Sequence, residues 1–136
     1  MKLYKFEIIS KQAQSMINID HLLLKALGQS QISNGKITVF CPHTTAGITI
    51  NENADPDVSY DMINALERAF PKQGDYRHFE GNSHAHVKSS FMGVSQMVLV
   101  ENNQLVLGTW QSVFFCEFDG PRQRKVVIAI EGESNG

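Results

Sequence analysis

The stretch that decides the fold is 96–107, Gln-Met-Val-Leu-Val-Glu-Asn-Asn-Gln-Leu-Val-Leu. Two apolar runs, 96–101 and 104–107, flank an Asn102-Asn103 pair, and asparagines tolerate the positive φ values that tight hairpin turns require. The pattern predicts an antiparallel hairpin. Working outward, 112–118 and 125–131 read as further strands, as do 84–92 and, on the N-terminal side, 3–9, 37–41 and 45–51. Asn34-Gly35 is a turn signal ahead of 37–41, and Pro42-His43-Thr44 falls in a tight connection. Two helices interrupt the strands. One spans 18–29, with Leu23, Leu24 and Leu27 as its stripe and Asn18 or Asp20 as cap. The other spans 56–70, capped by Asp55, opened by Pro56, supported by Asp57 and ended by Pro71. Its apolar face is Val58, Met62, Ala65, Leu66 and Ala69. Strands, a helical block and more strands make an α+β fold, and the many β-branched and aromatic strands call for two packed, mainly antiparallel sheets.

No repeat, linker or low-complexity segment divides residues 1–136, so a single domain is expected. A chain of this length buries roughly 68% of its unfolded surface. The net charge of −2 offers no basic face for nucleic acid or an acidic membrane. No apolar run approaches the roughly 20 residues of a spanning helix, and the first ten residues lack a signal-peptide core. Cytoplasmic residence is the expectation. Cys41 and Cys116 lie in apolar surroundings and read as small buried hydrophobes, not as a disulfide framework.

The chemistry concentrates in histidines. Four of the five, His43, His78, His84 and His86, fall within 44 positions. Histidine is the commonest zinc ligand, and three imidazoles with an open fourth position typify a catalytic zinc site. On a strand His84 and His86 would point the same way. Surface or hydrogen-bonded core histidines would show the same spacing. Helix capping accounts for Asp55 and Asp57, which leaves Glu52 as a candidate general base or histidine orienter. A second polar set comprises Asn82-Ser83, Lys88-Ser89-Ser90, Thr109, Gln111 and Arg122-Gln123-Arg124, residue types that bind phosphate or carboxylate and equally suit solvated loops. Trp110 reads as a core or subunit-interface anchor.

Five ordered motifs carry a resemblance: 43–46 (HTTA), 51–56 (NENADP), 76–78 (YRH), 85–90 (AHVKSS) and 108–111 (GTWQ). Over nearly the whole chain they resemble the YjbQ-like family, also called the secondary thiamine-phosphate synthase family. The resemblance implies a compact α+β domain of packed antiparallel sheets with two helices, assembled as a homotrimer. It implies a pocket for metal ions and anions at His43, His78 and His86, and it leaves His84 outside. The expected cofactor is a divalent metal, zinc foremost, or magnesium with a diphosphate substrate.

The family name implies joining a pyrimidine diphosphate to a thiazole phosphate with release of pyrophosphate. That reaction calls for cations to stabilise the leaving diphosphate. The first expectation is thus a small-metabolite enzyme. His43 and Glu52 would be catalytic, and Lys88, Ser89, Ser90, Thr109, Gln111 and Arg122 would bind a small phosphorylated partner, with Arg124 of the same type. The alternative is a non-catalytic trimer that binds a phosphorylated metabolite, and a third option is a scaffold in which the histidines join subunits. Such a chain is too short for the barrel of about 250 residues that other enzymes use.

Overall fold

The computed structural model describes residues 1–135. The chain runs β1 (Lys2–Ile9), β2 (Ser15–Asn18), α1 (Asp20–Ser30), β3 (Asn34–Phe40), β4 (Ala46–Glu52), α2 (Pro56–Ala69), α3 (Ser83–Met92), β5 (Ser95–Glu101), β6 (Gln104–Leu105), β7 (Gln111–Glu117) and β8 (Gln123–Glu133). The strands form two antiparallel sheets, one in the order β1-β8-β3-β5-β6 and the other β2-β7-β4. The fold is thus α+β with two sheets, as the strand pattern requires. No helix among the described residues is long and apolar enough to cross a membrane.

Period-2 alternation builds the main core. Val126, Ile128 and Ile130 of β8, Ile37 and Val39 of β3 and Val98 and Val100 of β5 turn inward to meet Ile48, Val113 and Phe115 of the small sheet. Leu23, Ala26 and Leu27 of α1 complete this layer. The small sheet is covered on its other face too: Phe114, Cys116 and Phe118 pack against Ala85 of α3, with Leu66 of α2 and Met92 alongside. A strand buried on both faces loses its alternation, which is why 112–118 is buried at every position.

Local chemistry fixes several boundaries. Asp55 caps α2 by accepting from the Asp57 N–H at 2.9 Å, and Pro56 takes the first helical position, where its missing N–H costs nothing. Asn102 and Asn103 hold φ of 50° and 65°, as the hairpin between β5 and β6 needs. At the start of α1 neither expected cap operates. Asn18 closes a local turn on the Asp20 N–H at 2.9 Å, and Asp20 instead accepts from the Val113 N–H at 2.8 Å, tying the helix to β7.

One element overturns the sequence reading. The segment expected as a strand over 84–92 is α3, a third helix. Its buried positions, His84, Ala85, Lys88 and Ser89, recur at helical spacing. Two of those inward residues are polar and one is a charged lysine, so the hydrophobic pattern that marks a helix is missing. The difference matters chemically: two residues apart on a helix is about 200° of rotation, so His84 and His86 face different surroundings. Gly93, at φ 94°, ends the helix and donates its N–H to the Ser89 carbonyl. The Gly93 carbonyl then accepts from Ile48 N of β4. A Cβ at Gly47 would come within 2.7 Å of that carbonyl oxygen, so glycine there lets α3 dock closely on β4.

Candidate functional site

The site begins where β3 stops. In the β3–β8 register Phe40 faces Val127, so Lys125 would next face Pro42, which departs from the strand. The His43 imidazole takes over: its Nε2 accepts the Lys125 N–H at 2.8 Å. That bond leaves the proton of the neutral ring on Nδ1. Burial, and then the positive charge of Arg124, hold the His43 pKa below its ordinary value. His43 is therefore a neutral ring that offers a single N–H donor.

Beneath it lies a buried polar knot. Arg124 and Glu117 occupy inward positions of β8 and β7 and are 3% and 0% exposed. Arg124 Nε donates to Glu117 Oε1 at 2.8 Å and its Nη2 donates to Glu117 Oε2. Nη2 also donates to Thr45 Oγ1 at 2.8 Å, and the Ser10 hydroxyl donates to Glu117 Oε1 at 2.7 Å. Burial alone would raise the Glu117 pKa. The Arg124 fork, the Ser10 hydroxyl and the Asp119 N–H outweigh it and hold the carboxyl below the ordinary range. Arg124 Nη1 donates to no protein group, although the residue lines the cavity above.

That cavity has a volume of about 460 Å³. His43, Thr45 and Arg124 line it, Arg122 reaches in from the segment before β8, and His78, Glu80, Asn82 and His86 complete the lining. His78 and His86 meet edge to face with ring centroids 5.4 Å apart, and His78 Nε2 lies 3.7 Å from Glu80 Oε1. Asp119 organises the rim: its Oδ2 accepts from Arg122 Nη2 at 2.9 Å and from Asn82 Nδ2 at 2.8 Å. Ser89 and Ser90 line an adjoining depression that shares His43 and His86. A separate cavity of about 380 Å³ beside α1, lined by Leu24, Leu27 and Asn103 among others, contains no ionisable side chain.

His43, His78 and His86, which the motif resemblance implied, and Arg122, from the second polar set, line this one cavity. The three histidines nevertheless do not form a metal-holding group: among the described residues no three His, Cys, Asp or Glu side chains are so arranged. His43 would also have to release the Lys125 N–H before Nε2 could ligate. Other candidates lie elsewhere. Lys88 is fully buried, and its Nζ donates to Glu67 Oε1 at 2.6 Å, to Gln14 Oε1 at 3.0 Å and to His84 Nδ1 at 2.9 Å. Ser89 donates its hydroxyl to the Ala46 carbonyl at 2.6 Å. Glu52 faces Gln111 at the far end of the β4–β7 ladder, while Ala46 faces Glu117 at the near end. Six residues of strand separate the ends by about 20 Å, so Glu52, Thr109 and Gln111 do not reach His43 within this chain. Trp110 is 62% exposed and is no core anchor.

Glu117, Asp119 and Glu80 escaped the sequence reading. A signal for the first existed: an arginine on the inward face of one strand demands an acid on the inward face of another. Cys41 and Cys116 are free and buried, with burial pushing their thiols up to about 11 and about 12. They are structural, as their apolar surroundings suggested.

His84 also has its pKa lowered, by burial and then by the Lys88 ammonium. Both it and His43 titrate near 6.5 when unfolded. Their neutral forms stabilise the fold fully above that value, and the contribution is lost as pH falls through the lower folded values. Glu67, at about 2, and Glu117 stay ionised throughout this range. The melting temperature should therefore drop between pH 7.5 and 5, and His84→Gln should flatten the drop. A melting temperature constant over that interval would contradict the assignment.

The sequence has close counterparts. A family model described as UPF0047 protein YjbQ-like matches residues 4–133. The UPF0047 protein YugU of Bacillus subtilis is 49% identical over 127 residues, covering 93% of this chain and 96% of its own. A UPF0047 protein of Methanocaldococcus jannaschii is 44% identical over 131 residues, covering 96% and 95%. Among solved structures, an uncharacterised conserved protein of this family from Clostridium acetobutylicum is 54% identical with a TM-score of 0.93, covering 94% of this chain and 99% of its own. A protein of unknown function from Sulfolobus solfataricus is 28% identical with a TM-score of 0.91, covering 97% and 99%. These relatives overturn the expected small-metabolite enzyme with thiamine-phosphate synthase activity: they carry only the UPF0047 designation or the words "unknown function", and none is named for thiamine chemistry.

Proposed function

The chain belongs to the UPF0047 YjbQ-like family, and within it we propose that the cavity between His43, His86 and Arg124 binds the oxyanion group, phosphate or carboxylate, of a small molecule. One observation carries this reading: the Arg124 guanidinium is locked by Glu117 and Thr45 through Nε and Nη2, which leaves Nη1 without a protein acceptor at the cavity wall. A pre-fixed guanidinium edge loses little entropy on binding and matches an oxyanion geometrically. The Nδ1–H of His43 adds a neutral donor beside it. Arg122, half exposed and held by Asp119, is free to exchange that carboxylate for a ligand.

Calorimetric titration with inorganic phosphate tests the reading. His43→Ala and Arg122→Ala should each weaken binding about 10- to 100-fold, since a hydrogen bond to a charged group contributes about 1.5–3 kcal/mol. Lys88→Met should leave the affinity unchanged, because its amine is turned to Glu67 and His84. Wild-type protein that ignores phosphate at millimolar concentration overturns the proposal. So does stoichiometric zinc binding that His43→Ala abolishes, the signature of the expected metal site. The expected homotrimer belongs to the same reading, supported by Leu3, Phe40, Met97 and Leu99, which stand exposed on the outer face of the larger sheet.

A further inference from the structure

The oxyanion cavity does not end at the histidines. A second depression of about 460 Å³ adjoins it, and His43, Thr44 and His86 line both, so the two volumes meet across these three side chains. The rest of its lining comes from the end of α3 and the turn into β5: Ser89, Ser90, Gly93 and Val94. Gly93 holds φ of 94°, which disfavours any side chain, and a Cβ there would meet no atom within 4 Å. The backbone conformation that ends α3 thus keeps the space beside Gly93 open.

The floor of this depression is polar in composition but not in chemistry. The Ser89 hydroxyl donates to the Ala46 carbonyl at 2.6 Å. The carbonyls of Ser89, Gly93 and Val94 accept from the N–H groups of Gly93, Ile48 and Cys41 at 2.9, 3.0 and 2.7 Å. All four groups are engaged within the protein, so the floor offers a ligand mainly carbon surface. Thr44 and Ser90 are exposed, and their hydroxyls meet water. A ligand hydroxyl set against the floor would give up water for no partner, whereas a hydrocarbon there gains by leaving water. The oxyanion cavity is the reverse, with Arg124 Nη1 and the His43 Nδ1–H as donors.

Resting on the oxyanion site proposed above, we propose that the ligand is a small amphiphile. Its oxyanion lies against Arg124 and His43, and a short hydrocarbon body of about three to five carbons lies over Gly93 and Val94. Sugar phosphates and other polyhydroxylated esters are disfavoured in that second volume.

Matched probes test this. Alkyl phosphates of one to four carbons and glycerol 3-phosphate are titrated calorimetrically at pH 7.5. Each methylene should tighten binding about two- to threefold, less than full burial would give, because the depression is open on one side. Butyl phosphate should therefore bind about 10- to 25-fold more tightly than methyl phosphate, with a heat-capacity change that grows more negative along the series. Glycerol 3-phosphate should bind no more tightly than methyl phosphate. Val94→Thr, which replaces a methyl by a hydroxyl, should weaken butyl phosphate about two- to fourfold and leave methyl phosphate unchanged. Equal affinity for methyl and butyl phosphate overturns the hydrocarbon body while the oxyanion site stands. So does glycerol 3-phosphate binding as tightly as butyl phosphate, or a Val94→Thr loss shared equally by both alkyl esters. If no phosphate ester binds at all, the oxyanion site falls as well.

Discussion

Glu117→Ala is expected to lower the unfolding free energy by about 3–5 kcal/mol, the cost of leaving a buried charge without its partner. Glu117 is 0% exposed and Arg124 3%, so water cannot replace the lost carboxylate without opening the strands around it. The remaining acceptors of Arg124, the Thr45 hydroxyl and carbonyl, are neutral and hold only Nη2. The Ser10 hydroxyl loses its closer acceptor and keeps only the Arg122 carbonyl at 3.1 Å, where Ser10 N also donates and joins the end of β1 to the approach to β8. Domains of this kind are stable by about 5–15 kcal/mol in total, so the variant should stand near the limit of folding. Urea unfolding followed by circular dichroism reads the difference. A loss under about 1 kcal/mol would mean that Arg124 finds water after all, and that the knot is looser than its bond lengths imply. Glu117→Gln should fall between, because the amide keeps one acceptor and removes the charge.

Phe115→Ala should cost a similar amount, about 3–5 kcal/mol, for a different reason. Phe115 sits in the centre strand of the small sheet, opposite Ile17 of β2 and Ile48 of β4, with 0% exposure. It belongs to the core between the sheets, while its neighbour Phe114 belongs to the layer beneath α2 and α3. Truncation leaves a void walled by β-branched side chains in three strands, which relax little because each is pinned by its ladder. Trp110→Ala is the control. The indole is larger, yet it is 62% exposed, so its removal should change stability by less than about 0.5 kcal/mol. A reversed order of these two variants would mean that the small sheet is not the centre of the core.

The parts of the fold legible in the sequence are those where one residue decides its own surroundings. Asp55 and Pro56 start α2, and Asn102-Asn103 turn β5 into β6, without help from distant contacts. The helix α3 was illegible because its inward face holds Lys88 and Ser89, whose partners, Glu67, Gln14 and the Ala46 carbonyl, lie 21, 74 and 43 residues away. No local pattern announces a buried lysine that is satisfied at such separations. The strand β2 was missed because four half-buried residues give no alternation to read. The site divides in the same way. His43, His78 and His86 were identified through motif resemblance, and the cavity does unite them. Glu52, Thr109 and Gln111 belong to equally marked motifs, but the antiparallel run of β4 and β7 carries them to the other end of the small sheet. Motif order says which residues matter together. Register says which can touch.

The two buried thiols make the native chain a convenient host for chemical labelling. With Cys41 at 1% and Cys116 at 0% exposure, and their thiolates suppressed near neutral pH, a maleimide dye has nothing to attack in the folded protein. A Phe79→Cys substitution would place one accessible thiol between His78 and Glu80, on a side chain that is fully exposed and outside the lining of the histidine cavity. The wild-type cysteines need not be removed first. A fluorophore there would report directly on the loop that brings His78 and Glu80 to the cavity, so its occupancy could be followed by light while its ligand is still being sought.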